Sequence, residues 1–420
     1  MIFLHIVFIV GSYYPNYSAV GKCAGNVAEE LSKYHKITVI CSKNHLNQKN
    51  EEVFNCQRII RIMTKEKKTR FELEDNIQYK IGFKRRINEF RYKIYKVSRM
   101  LKTIISKTSI KKDLVQSYVE ALNNINEPVD AVIPVSMPFE SVVAAVQYKT
   151  TYNEKVKVIP YLFDQFVDNE NLHRIKFNKD LKRKGHIELE NKLFQESQAI
   201  LAMHSLSAHF KSDLPKISNI YFLEHPLLIK QKSSSVKTCN KNIEISYIGS
   251  LLKGYVTPDY LLELYKKSNM EKTALNFYII GNCSEAVNYY SRQFPNNIIN
   301  HGSVDKETAN KKISNSDILI SIAEKQGIQM SSKIFDYISH GKPIIHFYTV
   351  EDDVNLKILK KYPNVLCLKQ DEELLNENVR AFDDFCDNNY YRIIPYEEVA
   401  EIINDATPEY TVEIIRKIIE

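Results

Sequence analysis

The chain has 420 residues, enough for two domains that each bury a core, and its 44% hydrophobic and 26% charged residues exclude a disordered chain. Its seven cysteines are scattered, odd in number and without a C-x-x-C pair, which argues against a disulfide framework or zinc site and favours a reducing cytosol. The net charge of +7 is uneven, because residues 58–112 carry 18 Lys and Arg against 5 Asp and Glu.

The first 41 residues predict a β-α-β unit. The apolar run over 2–10 is too short to span a bilayer and lacks a basic flank, so we interpret it as a buried strand (4–10) rather than a signal peptide. A loop, a helix over about 20–34 and a strand over 37–41 follow. The glycines in this region do not form G-x-G-x-x-G, which makes a dinucleotide-binding interpretation weak.

Residues 81–110 alternate basic with apolar and aromatic residues at mostly helical spacing, which predicts a basic amphipathic helix. A core-facing apolar stripe under a solvated basic face would explain the apolar positions, but not the confinement of charge to one domain. We therefore expect an anionic partner. A membrane surface fits an amphipathic helix better than nucleic acid does, because no nucleic-acid-binding motif accompanies the bases.

The remainder of the N-terminal half predicts short strands around one long polar helix, over about 178–196. The strands are expected over 130–135, 156–163, 199–202 and 220–223. Residues that follow the carboxyl ends of parallel strands line the crevice of an open α/β sheet. Asp164 and the Ser136–Glu140 turn are therefore cleft candidates, although Asp164 also suits a helix N-cap.

Residues 231–242 are polar and without periodicity, so we place an interdomain linker there. Beyond it, apolar strands alternate with helical segments, which predicts a doubly wound parallel domain. The strands are expected over 243–248, 275–281, 298–300, 317–322, 343–348 and 365–368, and the tail from 396 to 420 is expected to form two helices.

The stretch 329–348, QMSSKIFDYISHGKPIIHFY, predicts a helix that a hydroxyl of Ser331 or Ser332 caps, that ends at Gly341, and that leads into a strand over 344–348. A helix N-terminus offers unpaired N–H groups and partial positive charge, so it can hold a phosphate, with Asp336 about one turn further on. A carboxylate can accept hydrogen bonds from two ribose hydroxyls, so the pairing suits a nucleotide diphosphate. An ordinary capped helix before a strand is the alternative.

These residues resemble the donor-site segment of the GT-B glycosyltransferases of family 4, which often runs Pro-Ser-Lys-(Leu/Ile)-Phe-Glu-Tyr and then Gly-Lys-Pro-(Val/Ile)-Ile. The resemblance implies an α/β fold of two Rossmann-like, doubly wound domains that face a cleft, with ribose binding by Asp336. Two residues depart from the pattern: Ile328 stands where the family often has the first acid of Glu-x7-Glu, and Ser331 where proline is common. The other donor-binding candidates in this stretch are Gln329, Ser331, Ser332 and Lys333.

Two further segments resemble the same family. Tyr14–Gly25 is similar to its strand-to-helix turn against the donor diphosphate, which adds Gly21 to the donor-binding candidates. Tyr247–Gly254, YIGSLLKG, is similar to the region whose cations neutralise the leaving diphosphate. The resemblance there assigns Gly249 and Ser250 to the donor site and leaves Lys253 as the catalytic cation, because serine occupies the usual arginine position 250. Asp164, where many members have a histidine nearby, is the second catalytic candidate.

The resemblance implies glycosyl transfer with retention from a nucleotide-diphosphate sugar, in our interpretation a UDP-sugar, without a metal or other cofactor. We expect an acceptor domain (1–230), a donor domain (243–395) and C-terminal helices (396–420) that cross back to the acceptor domain. The expected acceptor is a saccharide or lipid-linked saccharide of surface or capsular polysaccharide synthesis, met at the cytoplasmic face of the membrane. A GT-B nucleotide-sugar epimerase and a non-catalytic partner subunit remain alternatives.

Overall fold

A computed structural model describes residues 3–169, 176–231 and 242–420. The chain divides into two compact units, Met1–Pro226 with Pro408–Glu420, and Leu227–Thr407. Residues 232–241, most of the predicted linker, lie outside the described part of the chain.

The first unit is built around one largely parallel sheet. Its elements up to residue 226 are β1 (His5–Val10), α1 (Ala19–Leu31), β2 (Lys36–Ser42), β3 (Glu51–Phe54), β4 (Gln57–Ile62), α2 (Lys65–Tyr79), α3 (Phe83–Ile105), α4 (Lys112–Asn123), β5 (Ala131–Ser136), α5 (Glu140–Thr151), β6 (Lys157–Val158), β7 (Tyr161–Leu162), α6 (Lys176–Gln195), β8 (Ile200–Met203), α7 (Ser207–Asp213) and β9 (Ile220–Leu223).

The strand order of this sheet is β3-β4-β2-β1-β5-β7-β8-β9, with β6 also paired to β5. All pairs are parallel except β3 with β4. Every residue of β1 is buried, as expected of a strand covered on both faces. The single strand predicted over 156–163 is wrong, because two short strands flank Pro160, which has no N–H to donate to a ladder.

The basic segment folds differently from its prediction in two respects. The predicted helix over 81–110 is the shorter α3, and a second helix, α2, and the β3–β4 hairpin precede it. The sequence analysis missed both. Among the described residues, no helix is both long and apolar enough to cross a bilayer.

The second unit contains a six-stranded parallel sheet with helices on both faces. Its elements are β10 (Ile243–Leu251), α8 (Asp259–Lys267), β11 (Thr273–Gly281), α9 (Ser284–Gln293), β12 (Ile298–Gly302), α10 (Lys306–Asn315), β13 (Ile318–Ile322), α11 (Ser332–Ser339), β14 (Ile344–Tyr348), α12 (Val354–Leu359), β15 (Val365–Lys369), α13 (Leu375–Asn389) and α14 (Tyr396–Ile402).

All six strands predicted for this unit are present, and their order is β12-β11-β10-β13-β14-β15. Counted within the unit, this is the Rossmann order 3-2-1-4-5-6, in which the chain changes direction between β10 and β13. Ligands of open parallel sheets bind at such a switch point, beyond the carboxyl ends of the strands. This topology therefore predicts a ligand-binding site at the loops after β10 and β13.

The two expected C-terminal helices are present, but they lie in different units. Helix α14 belongs to the second unit, and the last helix, α15 (Pro408–Ile419), belongs to the first. There the guanidinium of Arg416 lies 4.9 Å from the centre of the Tyr34 ring, and Lys157 Nζ donates to the carbonyl of Ile418 at 3.3 Å.

Candidate functional site

Helix α11 is fixed against the second sheet by one apolar face. Ile334, Phe335 and Ile338 are fully buried, as their spacing predicted. The helix ends where Gly341 takes φ +66°, and a Cβ at that position would lie 1.9 Å from the carbonyl oxygen of Ile394. Only glycine fits such a backbone approach, so the chain turns there into β14 as predicted.

The N-terminus of α11 keeps part of its hydrogen-bonding capacity open. The predicted hydroxyl cap is wrong: Ser331 occupies the N-cap position, but its side chain makes no capping hydrogen bond. The Ser331 amide instead donates to Asn355 Oδ1 at 2.8 Å. Within the described residues, the amides of Ser332 and Lys333 have no acceptor, so these two amides remain available to a phosphate.

The ammonium of Lys333 lies beside the carboxyl end of β10. A Cβ on Gly249 would be 1.6 Å from Lys333 Nζ, so the lysine occupies the space that a side chain at 249 would need. Its Nζ also lies 5.7 Å from the centre of the Tyr247 ring. Burial lowers the pKa of Lys333, an effect that the charge of Asp336 opposes.

Glu324 organises the loop between β13 and α11. Its buried carboxylate accepts the amides of Gln326 at 2.8 Å, Ile328 at 2.6 Å and Gln329 at 3.3 Å. Position 328, where the family pattern often has an acid, is an isoleucine in this chain. The carboxylate of Glu324, four residues earlier, holds the Ile328 amide. Glu324 was not predicted from the sequence, although an acid two residues after an apolar strand was a visible signal.

Asp353 and Asn355 brace this loop from the segment after β14. Asp353 Oδ1 accepts the backbone and side-chain N–H groups of Asn355, both at 2.7 Å, and Asn355 Nδ2 also donates to the Gln329 carbonyl at 3.2 Å. Burial raises the pKa of the Asp353 carboxyl. Sequence reasoning missed this pair as well, because its role depends on contacts with residues more than twenty positions away.

The turn after β10 joins the same edge of the sheet. The Tyr255 hydroxyl donates to Gln329 Oε1, and the Lys325 amide donates to the Tyr255 carbonyl at 3.1 Å. Ser250, in the last residues of β10, and Lys253, on the turn, are both exposed, and the Lys253 amide is held by Asn282 Oδ1 at 2.8 Å. The second-unit candidates lie in two segments at this edge of the sheet, the end of β10 with the turn that follows it and the start of α11 with the loop before it: Gly249, Ser250, Lys253, Gln329, Ser331, Ser332, Lys333 and Asp336.

Asp336 lies in the second turn of α11, on its exposed side. It is close enough to Lys333 for the two charges to interact. The helix therefore presents two open amides, an ammonium and a carboxylate within about one and a half turns. Such a set can bind an anion and a pair of hydroxyl groups side by side.

The remaining candidates lie in the first unit. Asp164 follows β7, and its carboxyl pKa is raised by desolvation, although the charge of His225 opposes this. His225 Nδ1 lies 2.6 Å from Glu224 Oε1. Burial alone would raise the pKa of Glu224, but the hydrogen bond from His225 holds it below its usual value. Asp164, Glu224 and His225 form a group that sequence reasoning did not assemble.

Gly21 has a local structural reason to be glycine. Its amide donates to Ser18 Oγ, the N-cap of α1, at 3.0 Å, and a Cβ would lie 2.1 Å from the Ser12 carbonyl oxygen. The amide is therefore already used in capping, and the close approach alone requires glycine. In the described residues, no group of three His, Cys, Asp or Glu side chains has the arrangement of a metal site.

We expect Lys333→Met to leave the free energy of unfolding at neutral pH unchanged or raised. Removing the ammonium from water costs more free energy than its interaction with the charge of Asp336 recovers. Since the pKa of Lys333 is lower in the folded state than in the unfolded state, this cost is present at neutral pH. It disappears as the pH rises towards the pKa that Lys333 has in the unfolded state. Urea unfolding at pH 7 and pH 10 measures it, and the difference between wild type and variant should shrink at pH 10.

Lys325→Met is the matched control, since Lys325 is exposed on the preceding loop and its contacts there are made by its backbone. It should change the free energy of unfolding by less than about 0.5 kcal/mol at either pH. A large loss of stability in Lys333→Met at pH 7 would show that the ammonium holds the fold together rather than a ligand.

No model of a known protein family and no curated protein matches the sequence. Solved structures do match in fold. Sucrose-phosphate synthase from Thermosynechococcus elongatus is 10% identical with a TM-score of 0.56. The match covers 99% of this chain and 98% of the synthase chain. S. aureus TarM, solved as a variant with fondaparinux, α-GlcNAc-glycerol and UDP, is 11% identical with a TM-score of 0.56 over 99% of this chain and 100% of its own.

A third match is Anabaena Alr3699/HepE in complex with UDP and glucose, which is 10% identical with a TM-score of 0.52 over 99% of this chain and 98% of its own. At this level of identity the likeness shows the fold alone. The two parallel-sheet units agree with it. The GT-B fold predicted from the sequence is therefore confirmed, and this chain has the fold of the GT-B glycosyltransferases.

Proposed function

We propose that this protein is a glycosyltransferase that takes its sugar from a UDP-sugar, with the diphosphate bound at the N-terminus of α11. The observation that carries the proposal is the Lys333 ammonium, which is desolvated beside Gly249 and next to the open amides of Ser332 and Lys333. A group of this kind is stabilised by an anion. It lies at the switch point of the second sheet, where ligands of this fold class bind.

Asp336 is proposed to bind the donor ribose. It stands about one turn from the open amides, a separation that suits a phosphate and the sugar of one nucleotide. An ionised carboxylate can accept both ribose hydroxyls, and hydrogen bonds to charged groups contribute about 1.5–3 kcal/mol each. Exposure leaves the Asp336 side chain accessible to such a ligand.

Lys253 is proposed as the second cation for the departing diphosphate. It is exposed on the turn after β10, on the same sheet edge as Lys333, and its amide is anchored by Asn282. In glycosyl transfer, negative charge builds on the diphosphate while the sugar becomes oxocarbenium-like, and fixed cations stabilise that charge electrostatically. Retention of configuration is part of the proposal and follows from the resemblance in residues 329–345.

The acceptor is proposed to be a saccharide or lipid-linked saccharide bound by the first unit. Asp164 there has a raised carboxyl pKa beside the Glu224–His225 pair, so it is the candidate to receive or deliver a proton at the acceptor hydroxyl. Two of the structural matches carry UDP with a sugar or saccharide by their own descriptions, which supports this substrate class. Surface polysaccharide synthesis is the setting that the resemblance implies.

We further propose that α3 docks on an anionic membrane surface. Its inner face meets α2 through polar contacts: the Tyr92 hydroxyl donates to Glu74 at 2.7 Å, and Arg99 Nε pairs with Glu66 at 2.7 Å. Its apolar stripe points to solvent instead of to the core. The exposed apolar residues of α3 are Phe83, Ile87, Phe90, Ile94, Val97, Met100, Leu101 and Ile105.

The exposure of this stripe supports the membrane proposal over a core-facing stripe on α3. A core-facing stripe would have buried these side chains, whereas Phe90 is 65% and Phe83 78% exposed. The helix also carries eight Lys and Arg against one Glu. An exposed apolar stripe flanked by bases is what a helix lying in an anionic membrane interface needs.

The donor proposal is tested by Asp336→Asn, which keeps the shape of the side chain but removes its charge. Affinity for UDP, measured by calorimetry, should fall about ten- to a hundredfold, because the amide accepts hydroxyl hydrogen bonds less strongly. The loss should be smaller for 2′-deoxy-UDP, which lacks one of the two hydroxyls. Asp336→Glu, the residue more usual in the family, should keep most of the affinity.

Equal losses for UDP and 2′-deoxy-UDP would show that Asp336 does not contact the ribose. A wild-type protein that binds no nucleotide would contradict the donor proposal as a whole and favour a non-catalytic partner subunit. Release of an epimerised free sugar without any acceptor would favour the epimerase alternative.

The membrane proposal predicts sedimentation with vesicles that contain phosphatidylserine, weakened by salt. Changing Lys84, Arg86 and Arg91 to Glu should lower vesicle partitioning about a hundredfold or more, since each base near an anionic surface contributes about 1 kcal/mol. Changing Phe90 and Ile94 to Ser should also weaken it. The control with the same charge change, Lys306, Lys357 and Lys360 to Glu in the second unit, should not.

Equal binding of the wild type to purely phosphatidylcholine vesicles would remove the electrostatic part of this proposal. Unchanged binding of the Ser variant would show that the apolar stripe stays out of the bilayer.

A further inference from the structure

The first unit contains a cavity of about 240 Å³ at the carboxyl edge of its sheet. Gly11 follows β1 and Pro138 follows β5, and both line it. Strands β1 and β5 are neighbours in the sheet. The chain continues from β1 to β2 on one side and from β5 to β7 on the other, so the cavity lies at the switch point of the first unit. It is smaller than the roughly 300–1,000 Å³ of pockets for drug-sized ligands, so it fits one chemical group of a larger substrate.

The walls of this cavity are basic. Four cationic side chains line it, against two carboxylates: Lys67, Arg70, Arg99 and Lys111, with Glu66 and Asp113. They come from α2, α3 and the start of α4, the same basic segment whose charge stood out in the sequence. The function proposed above uses the outer face of α3 and leaves these inward charges unexplained.

The two arginines already have carboxylate partners. Arg99 pairs with Glu66 at 2.7 Å, and Arg70 pairs with Glu74 at 2.8 Å. In the part of the chain that the structure describes, neither Lys67 nor Lys111 has an ion pair or a side-chain hydrogen bond. In those residues, these are therefore the two lining cations that no carboxylate holds by an ion pair. Lys67 Nζ lies 5.7 Å from the centre of the Phe71 ring, and the charge of Glu140 acts on Lys111.

The environment of Lys67 makes this arrangement costly in the free protein. Burial holds its pKa below the usual value, and the charges of Arg70 and Lys111 act in the same direction. Two helix N-termini also point their partial positive charge to this edge, since Thr64 caps α2 and Lys111 is the N-cap residue of α4. Like charges gathered in a half-enclosed cavity are stabilised by a bound anion.

We propose that this cavity binds a phosphate group of the acceptor substrate. The lining carries a net charge of +2, from four cationic side chains and two carboxylates, which matches the charge of about −1.5 to −2 that a phosphate monoester carries at neutral pH, and the cavity volume suits a single such group. The assignment of the phosphate to the acceptor rests on the proposed function, because the donor diphosphate is proposed to bind in the second unit.

The same phosphate chemistry can come from a membrane lipid or from a soluble phosphorylated saccharide. Tyr95 and Arg99 reach the cavity from the inner face of α3, while the opposite face of that helix carries the exposed apolar stripe. A phosphate bound here therefore lies one helix thickness from the surface proposed to meet the membrane. This geometry favours a lipid phosphate as the source.

The test is calorimetric titration of the whole protein with inorganic phosphate, with and without saturating UDP. Lys67→Met and Lys111→Met should each weaken phosphate binding about tenfold or more, because each removes a charged donor. Lys68→Met is the matched control, since Lys68 lies on the same helix, pairs with Glu72 at 4.0 Å and does not line the cavity. It should leave phosphate binding unchanged.

Phosphate binding that UDP does not displace and that Lys67→Met weakens supports the proposal. Phosphate binding that UDP displaces and that Lys67→Met leaves intact overturns it, because the anion then occupies the donor site. Failure of UDP to bind, with phosphate binding intact, overturns the proposed donor site and leaves the cavity's assignment standing.

The source of the phosphate is decided with vesicles of matched surface charge that contain either phosphatidic acid or phosphatidylserine. A preference for phosphatidic acid, a phosphate monoester, that disappears in Lys67→Met supports a lipid phosphate. Equal binding to both vesicles, together with phosphate binding in solution, supports the proposed phosphate site and a soluble phosphorylated saccharide.

Discussion

The candidate site of the second unit depends on one ammonium group, that of Lys333, which lacks an ionic hydrogen-bond partner among the described residues. Lys333 is kept beside Gly249 by a helix whose apolar face is buried and whose end is fixed by the backbone contact at Gly341. The preceding loop, wrapped around Glu324 and braced by Asn355, sets where that helix begins. The packing that holds this desolvated cation at the end of a parallel strand is the basis on which we propose an anionic ligand there.

Much of the second unit could be predicted from the sequence, because its helices, turns and strands follow from local residue patterns. The helix 332–339, the glycine that ends it and the strand 344–348 follow from apolar spacing and turn chemistry, and so do the six strands of the second unit. The hydroxyl cap predicted for Ser331 or Ser332 is wrong, and the contact that Ser331 does make, from its amide to the distant Asn355, could not be read from a local pattern. Glu324 and Asp353 were missed for the same reason, since their importance comes from tertiary contacts rather than from local pattern.

The basic segment shows a different limit. Periodicity identified an amphipathic helix, but it could not decide which face the protein covers. The structure pairs α3 with α2 through Tyr92 and Arg99 and leaves the apolar stripe exposed, which is the reverse of an ordinary surface helix. The inward polar face of α3 also brings Tyr95 and Arg99 to the cavity of the first unit, where α2 and the start of α4 add the lysines. One basic segment thus supplies both a candidate membrane surface and a candidate anion site.

The most direct test of the central claim is a double-mutant cycle on UDP affinity. A Cβ in Gly249→Ala must displace the flexible end of Lys333, so this variant and Lys333→Met should each weaken UDP binding, and the double variant should bind no worse than Lys333→Met alone. That non-additivity would show that Gly249 acts through the position of the Lys333 ammonium. UDP affinity that neither substitution changes would contradict the account.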